Sequence, residues 1–157
     1  LKNELSKIEN FMFGKKNILM EEILKITNLS ENYDISQLVD TCLSKNNNKI
    51  KKILNENNFS SDECILIIRT FLNKLKRLLK LNEIINSDKS SIEEAISLYK
   101  PPIFWKEKDV VKQQLKFLSL SKTQDLIYKT NEIELLIKKK PETSINVTTD
   151  FIVGQNT

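Results

Sequence analysis

The stretch SSDECILIIRTFLNKLKRLLKLNEII, Ser60–Ile85, decides the fold class. Ser60 followed by Glu63 is a capping box, in which each side chain satisfies the other's backbone N–H at a helix start, and Phe59 with Cys64 supplies a hydrophobic staple. Behind that start, Ile65, Ile68, Leu72, Leu75 and Leu79 recur at alternating three- and four-residue steps, the spacing of a heptad seam. Ile67, Phe71, Leu78 and Ile85 form a second apolar stripe on a neighbouring face. A helix apolar on two faces must sit between neighbours, so Leu72 and Leu75 are expected in a core and the rest of the chain must supply partner helices. The remaining surface carries Arg69, Lys76, Arg77 and Lys80, a solvated basic face or a partner-binding strip.

Partner helices are legible on both sides. Upstream, Leu1, Leu5, Ile8 and Met12 mark one helical face closed by Gly14, and Leu19, Ile23 and Ile26 a second, with Glu21 and Glu22 near its positive end. Ser30 to Tyr33 reads as a linker. Asp34 then caps a helix through Ile35, Leu38, Val39, Cys42 and Leu43, and Ile50, Ile53 and Leu54 follow after the turn at Asn46 to Asn48. Downstream, Ser91 with Glu94 repeats the capping box for Ile92, Ala95, Ile96 and Tyr99, until Pro101 and Pro102 stop the helix. Phe104 with Val111, Leu115 and Leu118 gives another amphipathic helix. Ser121 with Gln124 starts one carrying Leu126, Ile133 and Ile137, which Lys138 to Lys140 and Pro141 close. A last short helix is expected through Phe151 and Ile152. The fold class is all-α, a helical bundle, in keeping with only two Gly and three Pro among 157 residues.

Composition excludes more than it selects. There is no His, which removes the commonest general base, the usual catalytic triads and most zinc sites. Glycine occurs only at Gly14 and Gly154, so neither a P-loop nor a dinucleotide fingerprint can form. Glu21 with Glu22, or Glu132 with Glu134, are carboxylate pairs of charge-rich helices, expected exposed or ion-paired rather than acid-base catalysts. No catalytic site, metal or cofactor is expected. The net charge of +4 and pI of 8.9 suit an acidic partner or a polynucleotide without the density of a dedicated nucleic-acid arm. Cys42 and Cys64, each in apolar phase, read as buried hydrophobes of a reducing cytosol. No apolar run approaches the roughly 20 residues that span a bilayer, and a cytoplasmic chain without membrane contact is expected. Its first residue, Leu1, suggests a fragment of a longer protein.

The order of segments resembles the delta-subunit family of the bacterial DNA polymerase III clamp loader. LKNELSKIENF, from Leu1, is similar to the end of that family's helical lid domain. ISQLVDTCLSKN, Ile35 to Asn46, resembles its LVDA helix, with Leu38, Val39 and Asp40 matching and Thr41 standing where the family has alanine. RTFLNKLKRLLKL, Arg69 to Leu81, is similar to its long basic helix, and KPPIFWKEKDVVKQQLKFLS, Lys100 to Ser119, to its proline-plus-aromatic element. NEIELLIK carries Glu134 and Lys138 at the family's acidic-x-x-x-Lys pair.

The resemblance implies a lid-domain remnant over residues 1–33 and a collar, or oligomerisation, domain over residues 34–157. It implies assembly with the delta-prime and gamma or tau subunits, within the holoenzyme of a DNA-directed DNA polymerase, a nucleotidyltransferase. The clamp would be engaged by an AAA+-like N-terminal domain outside these 157 residues, and primed-template DNA would be met in the assembled loader. Phe104, Trp105, Lys106 and Lys108 are the candidate nucleic-acid contacts, because adjacent aromatics beside lysines combine stacking with phosphate attraction. Aromatics at helical spacing more often supply core area, so the leading reading is that both rings plug the bundle where the chain turns; if one ring meets DNA, it is expected to be Trp105, since neighbours on a helix diverge by about 100° and Phe104 fits the apolar stripe. Arg69, Lys76, Lys80, Glu134 and Lys138 are the candidate subunit-interface residues. An independent helical nucleic-acid-binding domain and a helical regulator of another partner remain the alternatives.

Overall fold

In the computed structural model the Ser60 capping box is formed: Ser60 N–H donates to Glu63 Oε2 at 2.6 Å and Glu63 N–H to Ser60 Oγ at 3.3 Å. The structure describes residues 9–12, 19, 22, 29–57 and 59–155. Among residues 29–155, as far as they are described, α-helices follow in order: α1 (Leu29–Leu43), α2 (Asn47–Glu56), α3 (Ser61–Asp88), α4 (Ile92–Leu98), α5 (Lys108–Phe117), α6 (Leu120–Lys139) and α7 (Ser144–Gly154), with 3-10 turns at Trp105–Glu107 and Pro141–Thr143. Among the described residues there is no strand, and no helix is long and apolar enough to cross a membrane.

The chain divides into two compact units, Leu1–Gln37 and Leu38–Thr157. In the first, residues 9–12 are helical with Met12 exposed. Glu22 accepts the Leu19 N–H on Oε2 at 3.1 Å, and the rest of the expected second helix, with Glu21, lies outside the described residues. Leu1, Leu5, Ile8, Gly14, Ile23 and Ile26 lie outside the described residues. The linker expected at Ser30 to Tyr33 is helical instead, and α1 starts at Leu29 rather than at an Asp34 cap. The segment holds no Gly or Pro, and nothing in it prevents the helix from extending backward.

In the second unit α3 is the central helix, packing most extensively on α6 and also against α4, α5 and α7. Cys64, Ile67, Ile68, Phe71, Leu72, Leu75, Leu78, Leu81 and Asn82 are its buried residues. Leu72 and Leu75 are in the core as expected, whereas Ile65 and Leu79 of the expected seam are half-buried. The centre of burial runs through Phe71 and Leu78, because α7 returns onto that stripe and sets the Phe151 ring edge-on to Phe71, centroids 5.2 Å apart. Each such side chain contributes about 1.5 to 3 kcal/mol by leaving water.

Polar groups fix the register of the bundle. Lys74 Nζ lies 2.6 Å from Asp40 Oδ2, and Gln114 Nε2 donates to Asp40 Oδ1 at 3.0 Å, so one carboxylate joins α1, α3 and α5. Asn82 Nδ2 donates to Leu118 O at 2.9 Å and Thr123 Oγ1 at 3.3 Å, which pins the α5–α6 junction to α3. That junction is where another expectation is corrected: α6 is capped by Ser119, whose Oγ accepts from Lys122 N–H, two residues before Ser121. Ser91 and Glu94 form the second capping box as expected, with Tyr99 just past the end of α4. Cys42 and Cys64 are buried and form no disulfide; burial pushes the Cys64 thiol up.

Candidate functional site

Two surface constellations collect the candidate residues. The first begins at Ile103, which is buried and anchors the chain after Pro101 and Pro102. Phe104 follows in extended geometry, and Trp105–Glu107 makes a 3-10 turn into α5. The turn is clamped to the long helix by Arg77 Nη1, 2.6 Å from Glu107 Oε2. Both rings project outward, Phe104 56% and Trp105 68% exposed, with centroids 5.7 Å apart and planes inclined by 49°.

The expectation that Phe104 packs inside with Val111 and Leu115 is therefore corrected. Phe104 precedes the helix, where the 100° divergence of helical neighbours does not apply, and Ile103 takes the buried slot. Lys106 Nζ stands 5.2 Å from the Trp105 ring centroid, a cation–π contact, and Lys100 and Lys108 are exposed on either side. Two rings of this kind present a large apolar surface, with the Lys106 ammonium against one of them. Chemically, the arrangement can stack a planar ring and attract an anion.

The second constellation joins α3 to α6. Glu134 Oε1 lies 2.7 Å from Lys138 Nζ and 3.4 Å from Arg69 Nε. The expected Glu134–Lys138 pair is thus formed and extended by a third member. Lys138, hydrogen-bonded to Glu134, holds its carboxyl below the usual carboxylate range, with Arg69 adding to the effect against partial burial. Lys76 and Lys80 are exposed seven and eleven residues beyond Arg69, so the three cations share one face of α3 over roughly 16 Å at 1.5 Å per residue.

A lowered carboxylate contributes stability that is complete above its unfolded value, about 4.3, and is lost as pH falls through the lower folded value. Glu134→Gln is therefore expected to cost up to about 0.5 kcal/mol at neutral pH, a figure discounted for the exposure of both cations. Urea titrations at several pH values should show the difference from wild type closing as the medium becomes acidic. An undiminished difference in acid would mean that the effect is not electrostatic.

Sequence reasoning missed the Asp40–Lys74–Gln114 node. Its signal was present: Lys74 falls in phase between Phe71 and Leu78, a charge on an apolar stripe that required a buried partner. Among the described residues, no group of three or more His, Cys, Asp or Glu side chains could hold a metal ion. No protein-family model matches the chain, and neither a curated protein nor a solved structure matches it.

Proposed function

We propose that this chain is a non-catalytic assembly module from the delta subunit of a bacterial DNA polymerase III clamp loader. In this reading the unit from Leu38 onward is collar, joining delta-prime and gamma or tau in the ring that loads the sliding clamp on primed DNA during replication, in the bacterial cytoplasm. The observation that carries it is the order of the family-like segments, four of which each occupy an element of their own among the described residues. LVDT lies on α1, with Leu38 and Val39 fully buried and Asp40 turned to α3 and α5. The long basic helix is α3, the proline-plus-aromatic segment runs into α5, and the acidic-x-x-x-Lys pair is an ion pair on α6.

Its mechanism is interface burial, for which a stable subunit contact removes about 800 Å² per partner from water. Arg69 with Glu134 and Lys138, and Lys76 with Lys80, would form the charged part of such a contact. The aromatic pair would meet the primed template, with Phe104 and Trp105 offering stacking area and Lys106 and Lys108 a phosphate-attracting rim. The same pair favours the second reading, an independent nucleic-acid-binding domain, against which stands a net charge of only +4, small for a chain held chiefly by phosphates.

Trp105→Ala separates these readings. In complete delta within a reconstituted loader, affinity for primed template should fall by about 1 to 3 kcal/mol for one lost base stack. Thermal stability should change by less than about 0.5 kcal/mol, because the side chain is exposed. Unchanged affinity in the loader removes the DNA contact. Tight binding of DNA by the chain alone at near-physiological salt would favour the independent domain.

A further inference from the structure

A hollow of about 260 Å³ opens where the ends of α1 and α5, the first turns of α6 and Gln155 after α7 come together. Its floor is apolar: Leu43, Leu118 and Leu126 line it and are buried, with Phe117, 41% exposed, beside them. Lys45, Lys122 and Lys129 also line it, all three exposed, against Asp125 as the sole acid of the lining. None of the three ammonium groups forms an ion pair among the described residues, although Asp125 and Lys129 stand four apart in the favourable order. Gln155 adds a buried amide Nε2 with no hydrogen-bond acceptor.

Lys45 holds its place by an unusual backbone. It lies at φ 56°, in the left-handed region where glycine is the ordinary residue, while its N–H donates to Cys42 O at 3.0 Å and Asn46 N–H to Thr41 O at 3.1 Å. A long cationic side chain therefore stands at the rim where a glycine would have closed the helix without strain.

We propose that this hollow docks an acidic segment of a protein partner, with one apolar side chain on the leucine floor and flanking carboxylates on Lys45, Lys122 and Lys129. The size favours a single side chain, since pockets for whole small-molecule ligands span about 300 to 1,000 Å³. The lining favours an anion, because it offers three unpaired cations and an orphaned donor, and carboxylates form strong charge-assisted bonds with such groups. A polynucleotide is the poorer fit: it would need cations along a path, and these converge on one apolar hollow. Nothing in this docking requires the chain to be a clamp-loader subunit.

The test titrates the 157-residue chain with a labelled, end-capped hexapeptide, Asp-Asp-Leu-Phe-Asp-Asp, by fluorescence anisotropy, beside the analogue with Asn in place of every Asp. The acidic peptide should bind at least about tenfold more tightly than the analogue, and Lys122→Glu combined with Lys129→Glu should weaken it by at least about tenfold. Amide resonances of Leu118, Leu126 and Gln155 should shift on binding. Circular dichroism checks that the double variant folds; if it does not, Lys122→Ala and Lys129→Ala singly should each weaken binding. Absence of binding at millimolar peptide overturns the proposal, as do equal affinities for the two peptides or for variant and wild type. Resonance shifts confined to other residues, or displacement of the peptide by a short oligothymidylate that binds the same residues more tightly, overturn it too.

Discussion

Phe71→Ala is expected to lower the stability of the chain by about 3 to 5 kcal/mol, as truncation of a fully buried aromatic does. The Phe71 side chain is 0% exposed at the middle of α3, and its loss would also remove the edge-on contact with Phe151 that holds α7 against the bundle. For a chain of this length, about 1 kcal/mol corresponds to 2 to 4 °C, so Tm should drop by roughly 10 °C. Tyr128→Ala is the matched control: that ring is 73% exposed, and its removal should stay within about 0.5 kcal/mol. Equal effects of the two substitutions would mean that α7 does not cover α3 as described.

Asp40→Ala is expected to cost about 2 to 4 kcal/mol, because it strands the partly buried Lys74 and weakens the hold on Gln114. Lys74, its side chain 12% exposed, would keep a charge with no counter-ion, and Gln114, 0% exposed, would keep only its longer 3.5 Å hydrogen bond to the Asp40 carbonyl. Asp40→Asn should cost less, since an amide oxygen still accepts from Gln114 while the charge is gone. The decisive measurement is Asp40→Ala combined with Lys74→Met under urea denaturation. Recovery of part of the loss identifies the stranded ammonium as its source, whereas an additive loss would place the two side chains in separate environments.

How much of this was legible follows from the physics of each signal. Helix identity was, because periodicity and caps are local: the boxes at Ser60 and Ser91 form as their residues dictate. Helix limits were less so. Nothing in Ser30 to Tyr33 forbids a helix, and Ser119 competes with Ser121 on equal chemical terms, so the choice belongs to tertiary contacts such as Asn82 on Leu118 O. The inward face of α3 was read slightly out of phase because it depends on where α7 returns, a long-range fact. At the candidate site, the leading reading put both rings in the core and left an exposed Trp105 as the alternative, while the exposure of Phe104 was not read at all: the residue lies before the 3-10 turn into α5, and its ring faces outward. Arg69 joins Glu134 across 65 positions, a contact no spacing rule could supply. The hollow ringed by Lys45, Lys122 and Lys129 was likewise invisible, since Lys45, in the turn after α1, meets the α6 pair only through the tertiary fold.

Membership in a subunit ring is tested most directly by mixing the purified chain with purified delta-prime and gamma or tau subunits and measuring the mass of the products by light scattering after size exclusion. A collar module should elute within a complex heavier than those subunits alone, and Arg69→Glu with Lys76→Glu should reduce its share without unfolding it. Elution of the wild-type chain apart from those subunits, at the 18.3 kDa of a single copy or as an assembly with itself, would contradict the clamp-loader assignment.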